Sequence, residues 1–294
     1  SCGMPDPNTA DLTDAANADA IKSSLLYSVT TMHTLFNITN TMILIWFIPQ
    51  IEKIVSWIIP QKAEKEVFRL KYIQGGPLST AELSLDEAEQ EIVHFSEICY
   101  NGFGYMRQAI NEKDPVKFGE LREKLIKYEA ITDRIEYEIA DYLNEVSKGE
   151  ISSSSAVRIN GMYKIIGELE SIGDSGDAIG RILARRNEHG LSFDEQQLKR
   201  LGRMCDLLDD AFKAMTNNLK APYTSLKDIT NAQDAEYNIN ECRNTLREEH
   251  IINIEENSSY NYQVGVFYMD IVAELEKMGD FMINVSEAKI AENG

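Results

Sequence analysis

A chain of 294 residues can hold one or two domains with a sizeable core. With only 7 Pro and 17 Gly, and long stretches rich in Glu, Leu, Ile, Ala and Lys, its composition predicts a mostly helical protein. The formal charge of −19 argues against nucleic acid as a partner, because phosphate backbones call for a basic surface, and makes cations the natural counterpart. Cys2, Cys99, Cys205 and Cys242 show neither CxxC nor zinc-like spacing, which suits reduced thiols in a reducing compartment rather than a disulfide framework.

Ser1 to Ala20 is acidic at Asp6, Asp11, Asp14 and Asp19. It lacks the basic start and cleavage site of a signal peptide, so it is expected to be a surface loop leading into a helix. Leu25 to Pro49 has no formal charge if His33 is neutral, and its 25 residues, at about 1.5 Å each, exceed the roughly 30 Å of a bilayer core. A membrane span over about 25–49 is therefore expected, with a buried helix of a soluble protein as the alternative. Its first half is polar for a span, with Ser28, Thr30, Thr31, His33, Thr34, Asn37, Thr39 and Asn40, and better placed among other helices than in lipid. Pro49 should end or kink the helix, and Ile51 to Ile59, with Trp57 and a terminal Pro60, reads as an interfacial piece over 51–60. Lys53, Lys62, Lys65, Arg69 and Lys71 follow, so the positive-inside rule places residues after about 60 in the cytoplasm. Gly75-Gly76-Pro77 then separates a membrane segment, 1–76, from a second region, 77–294.

The second region reads as six helices. The first runs from Thr80 to about Asn111, with Ile92, Phe95, Cys99, Phe103 and Met106 at helical spacing. Asp114-Pro115 supplies an N-cap and an N1 proline for a second, which reaches about Val146; a third ends near Asn187, before Gly190. The cycle restarts with helices near Phe193–Leu219, Asp228–Glu256 and Ser258–Ala291. This predicts two antiparallel three-helix bundles, over about 80–190 and 191–294.

The third helix of each unit carries one phrase, Glu168-Leu169-Glu170-Ser171-Ile172-Gly173-Asp174 and Glu274-Leu275-Glu276-Lys277-Met278-Gly279-Asp280. Glu170 and Asp174, like Glu276 and Asp280, lie one helical turn apart on one face. The second helix of each unit has a pair at the same spacing, Glu129/Asp133 and Glu236/Asn240. Glu170 to Glu276 and Asp174 to Asp280 are each 106 residues apart, while Glu129 to Glu236 and Asp133 to Asn240 are each 107 apart. That agreement is the mark of a duplication. Antiparallel neighbours can point such pairs at each other, and four oxygen ligands without a soft one suit Mg2+, Mn2+ or Fe, divalent or trivalent. Ion pairing with lysines such as Lys127 or Lys277 is the structural alternative. Gly173 and Gly279 each cost helix propensity of about 1 kcal/mol, which close helix approach beside the acids would explain.

At these residues the chain resembles the PhoU family, whose two three-helix bundles carry Glu/Asp-x-x-x-Asp metal motifs within phrases such as E-R-I-G-D. The resemblance implies metal ligation by Glu129, Asp133, Glu170 and Asp174 in one bundle and by Glu236, Asn240, Glu276 and Asp280 in the other. Ser171 and Lys277 stand where the family often has Arg, and Asn240 stands where an acid is expected, so the second site has the lower charge. His33-Thr34-Leu35-Phe36-Asn37, followed by an apolar run and Pro49, is similar to the last membrane segment of bacterial sodium/phosphate cotransporters that end in a PhoU-like domain. That likeness implies the C-terminal part of an inner-membrane, multi-pass transporter. Its partners would be inorganic phosphate, the membrane and the rest of the transporter, sodium would be its coupling ion, and homo-oligomers are among the expected assemblies. The family's transport motifs are absent from these residues. The other reading is a stand-alone PhoU-like regulator acting on a transporter or sensor kinase. An enzyme of the di-metal carboxylate class would need two Glu-x-x-His motifs, and only Glu91-Ile92-Val93-His94 is present, so no catalytic residue is assigned.

Overall fold

The computed structural model describes residues 22–23, 25–43, 70–77, 80–222, 225–256 and 260–291. The chain divides into two compact units, Ser1–Val67 and Phe68–Gly294. In the first, residues 25–43 form helix α1. Its serine, threonine, asparagine and histidine side chains dilute the apolar ones, and among the described residues no helix is long and apolar enough to cross a membrane. Residues 44–49, which hold most of the apolar half of the expected span, and the expected interfacial piece 51–60 lie outside the described residues.

The second unit is all helical where described: α2 (Ala81–Asn111), α3 (Pro115–Ser147), α4 (Ser153–Glu188), α5 (Glu195–Lys220), α6 (Thr230–Glu256) and α7 (Tyr262–Ala291). Local chemistry fixes the boundaries. Thr80 caps α2 through the Leu83 N–H, and Asp114 caps α3 through Val116 and Lys117, with Pro115 in the first turn. Asp194 and Gln197 form a capping box at the start of α5. α4 ends in a Schellman turn: the N–H of Gly190 reaches the carbonyl of Asn187 and the N–H of Leu191 that of Arg186, with Gly190 at φ 66°.

α2, α3 and α4 pack all against all, as do α5, α6 and α7. α4 against α7 and α2 against α5 join the two bundles. One apolar core runs through both, from Phe95, Ile135 and Leu169 to Leu208, Ile271 and Leu275. Cys99, Cys205 and Cys242 are buried free thiols; burial pushes Cys205 up to about 12 and raises the other two, which keeps them protonated and inert.

Candidate metal centre

α3 and α4 cross closely enough to bring the first expected ligand set together. A Cβ on Gly173 would lie 2.3 Å from Thr132 Oγ1, so only glycine allows α4 to rest on α3 here. The second bundle repeats the arrangement more loosely: a Cβ on Gly279 would meet Ile239 Cδ1 at 3.0 Å. Ile239 stands 107 residues after Thr132, the spacing shared by Glu129/Glu236 and Asp133/Asn240.

Beside the Thr132–Gly173 crossing, Glu129 and Asp133 on α3 converge with Asp174 on α4, one oxygen of each lying within 4.8 Å of the others. Glu129 is half-buried and the two aspartates are exposed, so the group opens to solvent. Burial, followed by the charges of Asp133, Asp177 and Asp174, raises the Glu129 carboxyl above its ordinary range. Burial and then Asp133 do the same to Asp174. Glu170 adjoins the trio rather than joining it; burial and then Asp174 push it from 4.5 to about 7, and it accepts a hydrogen bond from Ser171 Oγ at 3.2 Å. Glu136, whose charge also acts on Glu170, is an acid of this groove that sequence reasoning missed, although it continues the face of Glu129 and Asp133 at i+3. One turn past Asp174, the buried Asp177 is held by Arg122 and Arg181, which ends the acidic run. Like charges that raise one another's pKa, with oxygen donors only, fit a hard divalent cation, which would relieve the repulsion.

The second set is arranged differently. Asn240 Nδ2 donates to Glu236 Oε1 at 2.5 Å, and the guanidinium of Arg243 donates to Glu276. Arg243 stands 107 residues after Glu136, so a cationic side chain replaces an acid of the first bundle. Asp280 is raised by burial and then by Glu276, with Arg243 acting in the opposite sense. Among the described residues, no second convergent group of three ligands accompanies the first.

The remaining polar residues singled out from the sequence have structural partners. Lys277 pairs with Glu274 at 2.8 Å, and Glu168 accepts from Asn284 of α7 at 3.0 Å, so the first glutamate of each phrase is occupied outside the ligand set. Glu91 is fully buried and accepts the backbone N–H groups of Tyr72, at 2.6 Å, and Ile73, at 3.2 Å; His94 packs edge-on to Tyr72. That pair anchors the strap before α2.

Residues 92–183 match the family model described as PhoU domain, a stretch that contains Glu129, Asp133, Glu170 and Asp174. No curated protein is similar in sequence to the chain. Among solved structures, the phosphate transport system regulatory protein PhoU from Streptococcus pneumoniae superposes with a TM-score of 0.59 at 17% identity, covering 72% of this chain and 96% of that one. PhoU from Pseudomonas aeruginosa superposes with a TM-score of 0.56 at 16% identity, covering 72% and 97%. The chain therefore has a PhoU-like helical fold, with a PhoU domain match over its first bundle.

Proposed function

We propose that this chain is a PhoU-like regulator of phosphate transport, acting on a separate transporter or sensor kinase, and that it binds one divalent metal in its first bundle through Glu129, Asp133 and Asp174, with Glu170 beside them. The observation that carries the reading is the convergence of those carboxylates in a fold shared with PhoU regulators. The bound metal would supply a centre able to take phosphate oxygens. The protein's own part is to hold α3 and α4 at fixed separation through the Thr132–Gly173 contact and to keep three hard donors converged. Glu236, Asn240, Glu276 and Asp280 are a weaker set, because Arg243 already neutralises part of their charge.

The regulator is favoured over the C-terminal part of a sodium/phosphate cotransporter. Neither PhoU structure reported above is a cotransporter, and the sodium-coupled reading rests on His33 to Asn37 and the apolar run to Pro49.

Two measurements test the proposal. Metal content of the full chain should fall to background in Asp133→Ala plus Asp174→Ala, and an unchanged content removes the metal centre. Deletion of the chain from its host should uncouple phosphate uptake from external phosphate. Uptake that tracks phosphate equally well with and without the chain defeats the regulatory reading.

A further inference from the structure

The last turn of α4 holds a buried cation that no acid balances among the described residues. Arg186 is 5% exposed and, among the described residues, forms no ion pair. It donates through Nε and Nη2 to Asn187 Oδ1, at 3.1 and 2.7 Å, and its guanidinium lies 4.4 Å from the centroid of Phe193. In a chain of net charge −19, a guanidinium that pairs with no carboxylate among the described residues is unusual. An aromatic face and one amide oxygen offset only part of the cost of dehydrating it, and burial alone lowers its affinity for a proton.

Arg186 lines a cavity of about 510 Å³ between this turn and the α2–α3 turn, a size suited to a small organic ligand. Lys113, exposed on the facing turn, lines the same cavity, with Asn111, Asn187 and Ser192 as further donors and Phe118 and Leu191 among the apolar walls. The acid on this wall, Glu112, is engaged: its Oε1 accepts the N–H groups of Lys113 at 2.9 Å and Asp114 at 2.8 Å. The Schellman turn at Gly190 and the capping box at Asp194 fix the backbone on either side of Phe193, so the site is preformed.

We infer that this cavity is a phosphate-binding site, in which Arg186 and Lys113 take the oxygens of inorganic phosphate or of a small phosphorylated molecule. Two cations with amide and hydroxyl donors from opposite turns can reach several oxygens of one tetrahedral anion from different directions. The apolar walls leave room for an organic portion. This site is separate from the carboxylate cluster and does not rest on metal binding there.

Thermal unfolding of the full chain, titrated with inorganic phosphate and separately with adenosine 5′-monophosphate up to about 10 mM, tests the inference. A saturable rise in Tm is expected with at least one probe. A rise with phosphate assigns the free anion, and one confined to the monophosphate assigns a phosphorylated molecule. Arg186→Met should weaken binding by at least about tenfold, and the exposed Lys113→Ala should weaken it several-fold without loss of folding. Asp174→Ala should leave it intact. The inference is overturned if neither probe raises Tm, if the rise survives both Arg186→Met and Lys113→Ala, or if it disappears in Asp174→Ala alone. A ligand-free Arg186→Met more stable than wild type, together with no response of wild type to either probe, would identify Arg186 as a merely tolerated buried charge.

Discussion

Arg243 of α6 donates to Glu276 of α7, placing a guanidinium where the first bundle has the acid Glu136. Position 243 corresponds to Glu136 in the first bundle, and Asn240 corresponds to Asp133. Two substitutions therefore separate the second set from the first in charge. Asn240→Asp plus Arg243→Glu should raise bound metal from one to two equivalents per chain, measured by elemental analysis after dialysis against Mn2+. A count that stays at one would mean that packing around Ile239, rather than charge, closes the second groove.

Metal affinity should depend on pH through Glu170. Its carboxyl, moved from 4.5 to about 7 by burial and then by Asp174, must ionise to serve the cation, so affinity should rise between pH 6 and 8 and then level off. Glu170→Gln should flatten that profile when Mn2+ binding is followed by calorimetry. A wild-type profile that is flat across this window would separate Glu170 from the site.

The same group sets a stability trend in the metal-free protein. Because the folded-state pKa is the higher one, the folded chain keeps a proton that the unfolded chain has lost between pH 4.5 and about 7. Stability from this group is full below 4.5 and declines as pH rises through about 7. Glu170→Gln should therefore match wild type in Tm near pH 4 and exceed it at pH 8, and a difference that narrows with rising pH would contradict the assignment.

The helix crossing should tolerate substitution unequally in the two halves. In Gly173→Ala the new methyl meets the branched Thr132 side chain at 2.3 to 2.9 Å, whereas in Gly279→Ala it meets the movable end of Ile239 at 3.0 Å. Overpacking of the first kind costs about 1–3 kcal/mol, each worth about 2–4 °C in Tm at this size. Calorimetry should show the larger loss in Gly173→Ala, partly restored by Thr132→Ala. Equal losses in the two glycine variants would place the strain elsewhere.

Glu91 gives a prediction remote from metal. Removing its carboxylate in Glu91→Ala strands the Tyr72 and Ile73 N–H groups in the core, at a cost of about 1–3 kcal/mol, and Glu91→Gln should lose less because it keeps one acceptor. Chemical denaturation of both variants checks the order.

Helix ends were legible in the sequence where proline, glycine or an N-cap acid marks them plainly. Asp114-Pro115 and Gly190 begin and terminate helices in the expected places, whereas the capping box at Asp194 starts α5 two residues after the expected Phe193. The pairing of Glu129 and Asp133 with Asp174 was legible as well, because helical spacing and the duplication confine those residues to facing surfaces. Arg243 was not, since the repeat drew attention to positions that agree and Arg243 is one that differs. Arg186 was equally hidden: a basic residue at the end of a helix is ordinarily a solvated partner of the last carbonyls. In the fold it is buried, with its guanidinium over the ring of Phe193. Leu25 to Pro49 suggested a span by length, but the described part of that stretch, α1, is mostly its polar half.

The contact between Thr132 and Gly173 has a consequence for signalling. Because side-chain packing already sets the separation of α3 and α4, a cation need not draw the helices together, and little shape change is available to it. A bound divalent cation would instead lower the negative charge of the first bundle's face, where burial and neighbouring carboxylates raise Glu129, Glu170 and Asp174. A partner reading this surface would sense its potential rather than its form, and such a readout weakens as ionic strength rises.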